Sequence, residues 1–138
     1  MNRAGVLLDT GPLVALVNRS DDRHETAKML MAACAPPLRT CEPVLAEACY
    51  LLSRDNPAAA AAVMALGRAG AFEVALSLRE QWAAIERLLR KYEDVPASLA
   101  DACLIRCAEH HHEPRILTFD TDFRVYRWAR NKAFHILG

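Results

Sequence analysis

The stretch "GVLLDTGPLVALVN", residues 5–18, decides the fold. Its first part, up to Asp9, is short and continuously apolar, which is typical of a strand buried in a parallel sheet. Pro12 follows a Thr-Gly step, and proline suits the first turn of a helix, so we predict a helix over residues 12–18. A buried strand that leads directly into a helix is the first half of a βαβ unit.

The same alternation continues along the whole chain. Further strands are predicted at residues 38–41, 71–76, 115–119 and 133–137. Further helices are predicted at residues 20–35, 42–54, 56–70, 77–94, 98–112 and 122–131. Strands that alternate with helices predict an α/β fold with a mostly parallel central sheet and helices on both faces. No linker or repeat divides the chain, so we predict a single domain over residues 1–138.

The composition restricts the class of protein. The chain has 138 residues, 53% hydrophobic and 25% charged, as in a globular domain with a real core. Its 17 basic and 17 acidic residues cancel, so any nucleic-acid partner needs a local basic patch. Neither a signal peptide nor a membrane span is predicted, because every apolar run is too short. The 5 cysteines, an odd number in apolar surroundings, suggest reduced thiols in a cytoplasmic protein.

Four carboxylates fall where the predicted strands end. Asp9 and Asp120 directly follow strands, Glu47 lies about one turn into the helix after residues 38–41, and Asp101 lies in the first turn of its helix. In open α/β sheets, ligands bind at the carboxyl ends of the strands. We therefore expect the four acids to share one rim of the sheet.

Each acid also has a structural interpretation. Asp9 and Asp120 could cap the helices that follow, Asp101 could complement a helix dipole, and Glu47 could be an exposed surface residue. Taken together, clustered carboxylates repel one another and raise one another's pKa unless cations neutralise them. Oxygen ligands without a companion histidine or cysteine suit Mg²⁺ or Mn²⁺. Such a site indicates phosphoryl chemistry, in which a cation activates water and stabilises the leaving oxygen.

Four segments carry a resemblance to a known family. They are "LLDTGPLVALVNRSDDRH", "EPVLAEACYLL", "ASLADACLIRCAE" and "ILTFDTDF". In this order and spacing they resemble the PIN domain, in particular the VapC-type toxins of bacterial toxin–antitoxin pairs. The resemblance implies a three-layer α/β/α sandwich and an Mg²⁺- or Mn²⁺-dependent endoribonuclease. It also implies an RNA substrate, transfer RNA among the candidates, a cognate antitoxin protein and a homodimer.

The resemblance also assigns roles to residues. The implied catalytic groups and metal ligands are Asp9, Glu47, Asp101 and Asp120, with Thr10 and Thr118 as supporting hydroxyls. Asp122 is a further candidate, either for a second metal or as the cap of the next helix. Some relatives carry an additional acid where this chain has Ser98. The implied reaction is in-line attack of water on phosphorus, which leaves a 5′ phosphate and a 3′ hydroxyl.

A candidate RNA-binding segment follows the last aspartates. It reads "FRVYRWARNK", residues 123–132, and it contains no acid. On a helix its arginines would lie along one face, with Tyr126 and Trp128 available for base stacking. These arginines are Arg124, Arg127 and Arg130. The alternatives are a solvated helix face with Trp128 in the core, and a surface that binds the antitoxin.

Three other interpretations of the sequence are possible. "LLDTG" is also the signature of aspartic proteases, but there the aspartate lies in an all-β subunit, whereas Pro12 here leads into a helix. Cys103, Cys107 and His110 have the spacing of one helix face, which zinc could use, but no fourth ligand is evident and a core stripe explains the spacing better. A non-catalytic PIN-like module that binds RNA or a partner without cutting stays open.

Overall fold

The computed structural model describes residues 4–138. The helices in this range are α1 (Thr10–Val17), α2 (His24–Ala32), α3 (Glu42–Ser53), α4 (Ala59–Arg68), α5 (Trp82–Lys91) and α6 (Leu99–His111). The strands are β1 (Leu7–Leu8), β2 (Leu38–Thr40), β3 (Phe72–Val74), β4 (Arg115–Leu117), β5 (Arg127–Trp128), β6 (Lys132–Ala133) and β7 (His135–Leu137). The predicted alternation of strands and helices is confirmed over most of the chain.

A five-stranded parallel sheet forms the centre of the molecule. Its order is β3-β2-β1-β4-β7, so the first strand lies in the middle. Leu7 of β1 pairs with Arg39 on one side and with Ile116 on the other. The chain therefore adds β2 and β3 on one side of β1 and later adds β4 and β7 on the other side. This reversal is a topological switch point, and a crevice opens there at the carboxyl ends of β1 and β4.

Side chains of the central strands alternate between two hydrophobic cores. Leu7 and Ile116 belong to the core that includes α5 and α6. Leu8 and Leu117 belong to the core on the opposite face, which includes residues of α1, α3 and α4. Successive strand residues point to opposite faces, so two such cores require helices on both sides of the sheet. The three-layer α/β/α sandwich is confirmed.

The predicted helix over residues 122–131 is wrong. After a 3₁₀ turn at Thr121–Arg124, the chain forms an antiparallel hairpin of β5 and β6. Ala129 and Arg130 have φ values of 46° and 75°, and two left-handed residues turn the chain back where a helix would continue. Trp128 is buried in the α6 core, which supports the core interpretation of this side chain.

Three further outcomes concern the remaining motifs. The helix predicted over residues 77–94 is a 3₁₀ turn at Leu78–Glu80 followed by α5. Cys103 and Cys107 are fully buried in the core, while His110 is exposed. The three side chains therefore do not share the helix face that a zinc site would require. Asp9 leads into α1, and this rules out the all-β context of an aspartic protease.

Candidate active site

Asp9 occupies the bottom of the crevice, at the end of β1. It is the N-cap of α1, and its Oδ1 accepts the Thr10 N–H at 2.8 Å. Its other oxygen, Oδ2, accepts a hydrogen bond from Thr118 Oγ1 at 2.7 Å. The side chain is only 6% exposed. The cap interpretation is thus correct, and it fixes the carboxylate in a buried position.

The pKa of Asp9 is raised to about 6. Burial is the largest cause, since a buried carboxylate loses its hydration. The hydrogen bonds from Thr118 and Thr10 oppose this rise in pKa, while the negative charges of Asp101 and Asp120 add to it. Three of the four predicted acids therefore interact electrostatically in the folded protein.

Asp101 lies at the start of α6 and forms a capping box with Ser98. The Asp101 N–H donates to Ser98 Oγ at 3.0 Å, and the Ser98 N–H donates to Asp101 Oδ2 at 3.2 Å. Buried Tyr126 donates its hydroxyl to the same Oδ2 at 2.8 Å. Burial raises the pKa of Asp101, the hydrogen bonds from Tyr126 and Ser98 lower it, and the charge of Asp120 raises it.

Asp120 and Asp122 are held by one turn. Asp120 is the N-cap of the 3₁₀ turn, and its Oδ1 accepts the Asp122 N–H at 2.9 Å. The Asp120 N–H in turn donates to Thr118 Oγ1 at 3.0 Å. Asp120 is exposed, whereas Asp122 is half-buried. The capping expected of Asp122 is therefore performed by Asp120.

Glu47 and Thr10 share a cavity with Asp120. The cavity has a volume of about 360 Å³ and lies between α1, α3 and the loop after β4. Glu47 is exposed on α3 and lines this cavity with Asp120, whereas Asp9 and Asp101 do not line it. Thr10 is only 6% exposed, and within the described residues its Oγ1 is a buried polar atom without a hydrogen-bond partner.

The donor chemistry of this rim fits a hard divalent cation. Carboxylate and hydroxyl oxygens are the ligands that Mg²⁺ and Mn²⁺ prefer. Thr10 also lines the cavity, and within the described residues its buried hydroxyl is without a hydrogen-bond partner. As the side chains of residues 4–138 lie, no three His, Cys, Asp or Glu groups converge tightly enough to enclose one ion.

The candidate RNA-binding segment is only partly available. Arg127 Nη1 donates to the carbonyl oxygens of Arg124, Val125 and Tyr126, so this guanidinium closes the turn. Tyr126 and Trp128 are buried, which contradicts their predicted role in base stacking. Arg124 and Arg130 are exposed, but the two do not share a helix face because no helix forms there.

Sequence reasoning missed two relationships at this site. The Tyr126 hydroxyl supports Asp101, although 25 residues separate the two. The guanidinium of Arg23 stacks on the Phe119 ring, with 3.6 Å from its central carbon to the ring centroid. Two features of the sequence could have predicted these contacts. A buried tyrosine hydroxyl such as that of Tyr126 needs a hydrogen-bond partner, and an aromatic residue directly precedes Asp120.

The family model for the PIN domain matches residues 6–129, which include all the predicted site residues except Arg130. This chain belongs to the PIN domain family. The model also covers the segment from Asp9 to Asp120, so the four acids lie inside a PIN domain.

A solved PIN-like structure is similar over nearly the whole chain. It is the crystal structure of Mycobacterium tuberculosis VapC20, a toxin that cleaves the sarcin–ricin loop. The similarity has a TM-score of 0.74 and 28% sequence identity, and it covers 94% of this chain and 99% of VapC20. No curated protein sequence matches the chain. Among residues 4–138, no helix has both the length and the apolar character needed to cross a membrane.

Proposed function

We propose that this PIN domain is a metal-dependent endoribonuclease that hydrolyses RNA phosphodiester bonds. We further propose that it is the toxin of a type II toxin–antitoxin pair and acts in the cytoplasm, where its RNA substrate is found. The observation that carries the proposal is the interaction of Asp9, Asp101 and Asp120 at the carboxyl ends of the sheet. Repulsion between carboxylates held together in this way lowers the stability of the folded protein, and a bound cation offsets that loss.

The proposed ligands of Mg²⁺ or Mn²⁺ are Asp9, Asp101 and Asp120, completed by Glu47 and Asp122. When bound, the ion would lower the pKa of water and offset the charge that develops on phosphorus-bound and leaving oxygens. Thr118 and Tyr126 orient Asp9 and Asp101 by hydrogen bonds to one oxygen of each carboxylate. The carboxylates also repel a phosphodiester until the charge is neutralised, so binding of the cation must accompany binding of RNA.

The similarity to VapC20 supports the toxin assignment. VapC20 cleaves the sarcin–ricin loop, so a structured RNA loop is a reasonable substrate class, beside the transfer RNA suggested by the resemblance. A cognate antitoxin would cover the site with an acidic or arginine-bearing segment. Exposed Arg124 and Arg130 are the proposed contacts to RNA phosphates.

The decisive experiment is cleavage of total RNA by the purified protein with Mg²⁺ or Mn²⁺. Cleavage should be lost in EDTA, should return when Mn²⁺ is added, and should be absent in Asp9→Asn. Asp55→Asn is the matched control, because Asp55 is an exposed acid away from the rim. A wild-type protein that binds RNA but cuts none with either ion would support the non-catalytic module instead.

The toxin assignment has a separate test. Expression of the wild-type chain should arrest bacterial growth, and co-expression of the protein encoded by the adjacent small gene should relieve the arrest. Asp9→Asn should not arrest growth at equal expression level. Cleavage in the test tube without growth arrest would indicate a housekeeping nuclease.

A further inference from the structure

The stacked pair of Arg23 and Phe119 lies at the edge of the proposed active site. Phe119 immediately precedes Asp120, and Arg23 immediately precedes α2. The Phe119 ring is confined, because a Cβ at Gly11 would contact it at 3.5 Å and one at Gly138 at 3.3 Å. A guanidinium stacked on a confined ring is held in a defined place, and Arg23 itself remains exposed to solvent.

Arg23 and Arg124 line one shallow recess beside Asp120. The recess has a volume of about 150 Å³, and its charged residues are two arginines and one aspartate. The neighbouring cavity that contains Glu47 is different, since its charged residues are Asp21, Glu47, Asp120 and Arg23. The charged side chains are therefore mostly acidic on the Glu47 side of Phe119 and mostly basic on the Arg124 side.

Within residues 4–138, neither arginine of the recess forms an ion pair. The ion pairs among the described residues involve Lys28, Arg90, Arg106 and Arg115, and none involves Arg23 or Arg124. Asp120 lies in the same recess, yet it forms no ion pair with either guanidinium. Two unpaired guanidinium groups that face one small recess are suited to an anion with several oxygens, such as a phosphodiester.

We propose that Arg23 and Arg124 form a phosphate clamp for the RNA backbone. The clamp holds a phosphodiester that neighbours the scissile one, because Asp120 belongs both to the recess and to the proposed metal ligands. Phe119 is a positioning residue, since its ring fixes the guanidinium of Arg23 before RNA arrives and so reduces the entropy lost on binding. This proposal rests on the proposed ribonuclease function and adds a specific backbone subsite to it.

The competing role for Arg23 is to screen the negative charge of Asp120 and Asp21. The two roles differ in what they change. A clamp contributes to RNA affinity and to its salt dependence, because counterions leave the phosphates that arginines neutralise. A screening residue changes the concentration of Mg²⁺ required for activity and leaves the salt dependence of RNA binding unchanged.

The test measures binding of a fluorescent single-stranded RNA oligonucleotide, with Ca²⁺ replacing Mg²⁺ to suppress cleavage, over a range of salt concentrations. Arg23→Gln and Arg124→Gln should each weaken binding roughly tenfold at low salt, as expected for a charge-assisted contact. Each should also lower the slope of log affinity against log salt by about 0.7. Arg19→Gln is the matched control, because Arg19 is an exposed arginine nearby that does not line the recess.

Two further variants distinguish a defined phosphate contact from non-specific attraction between RNA and surface arginines. Phe119→Leu should weaken binding while leaving the salt slope unchanged, because both arginines remain but Arg23 is no longer fixed. The double variant of Arg23 and Arg124 should lose less affinity than the product of the two single losses, since both contact one phosphate.

The outcomes distinguish the clamp from the proposed function. If wild type cleaves RNA and Arg23→Gln binds RNA like Arg19→Gln, the clamp is overturned and the nuclease stands. If wild type binds RNA without cleavage and Arg23→Gln is impaired as described, the clamp stands and the nuclease fails. An altered Mg²⁺ requirement with an unchanged salt slope assigns the screening role to Arg23, and a wild type that binds no RNA overturns the clamp as well.

Discussion

Thr118 Oγ1 donates a 2.7 Å hydrogen bond to Asp9 Oδ2, across 109 residues of sequence. The same oxygen accepts the N–H of Asp120 at 3.0 Å. One hydroxyl at the end of β4 therefore connects two of the proposed metal ligands. It orients the buried carboxylate of Asp9 and fixes the backbone from which the Asp120 side chain extends.

Replacing Thr118 by valine should impair the site through Asp9. The variant removes a donor to a buried carboxylate, which costs roughly 1–3 kcal/mol and raises the pKa of Asp9 further. Because the ionised carboxylate is the proposed ligand, the acid limb of the cleavage–pH profile should move to higher pH. Thr118→Ser keeps the hydroxyl and should resemble wild type, and an unchanged acid limb in Thr118→Val would argue against this coupling.

Asp9→Asn should stabilise the metal-free protein near neutral pH. The folded pKa of about 6 exceeds the ordinary value of 3.8, so between these values the folded protein keeps a proton that the unfolded chain has lost. The free energy of unfolding of wild type therefore falls as pH rises through this window, by up to about 3 kcal/mol, and stays low above pH 6. Asparagine is uncharged at every pH, so the variant does not lose this stability.

The measurement is urea unfolding in EDTA over a range of pH. The advantage of Asp9→Asn over wild type should be largest above pH 6 and should vanish well below pH 3.8, where the carboxyl is protonated in both states. Mg²⁺ should reduce the advantage, since it binds only the wild-type carboxylate. An asparagine variant that is less stable than wild type at neutral pH in EDTA would show that hydrogen bonding at Asp9 outweighs desolvation.

Asp120→Asn and Asp122→Asn should differ in cleavage. Asp120 interacts electrostatically with both Asp9 and Asp101, so its neutralisation should abolish cleavage. Asp122 is proposed only as an accessory ligand, and its neutralisation should weaken cleavage without abolishing it. Single-turnover rates at saturating Mg²⁺ are the appropriate measurement, and equal, complete loss in the two variants would mean that the pair acts as a unit.

Tyr126→Phe should disturb Asp101 without touching the substrate. The buried hydroxyl donates to Asp101 Oδ2, and its loss leaves this carboxylate with one donor fewer. We expect a loss of unfolding free energy of roughly 1–2 kcal/mol, together with a higher pKa of Asp101 and a greater Mg²⁺ requirement. Thermal unfolding and Mg²⁺ titration of cleavage measure these effects, with exposed Tyr50→Phe as the control. An Mg²⁺ requirement equal to that of the control would limit Tyr126 to packing.

The sequence predicted most of the fold because the relevant signals are local. Residues 5–18 specify a buried strand and a helix through apolar continuity and Pro12, and the same signals recur along the chain. It also predicted which edge of the sheet carries Asp9, Glu47, Asp101 and Asp120, since parallel strands bring their carboxyl ends together. Asp9, Asp101 and Asp120 all perform capping, while their role as metal ligands stays a prediction.

Local signals failed after Asp122. The arginine spacing there predicts a helix, but burial of Tyr126 and Trp128 against α6 and left-handed turns at Ala129 and Arg130 produce a hairpin. Contacts between distant segments outweigh the modest helix propensity of a short stretch. The hairpin brings the Tyr126 hydroxyl to Asp101 and directs the Arg127 guanidinium to backbone carbonyls.

The sequence by itself thus determined the strand–helix alternation and the edge of the sheet at which the acids gather. Only the tertiary structure decided how those acids are tuned. The pKa of Asp9 depends on burial and on Thr118, Asp101 and Asp120, which come from other segments of the chain. The stacking of Arg23 on Phe119 likewise joins residues that are remote in sequence. Desolvation and through-space electrostatics depend on which segments meet, and periodicity within one segment carries no information about them.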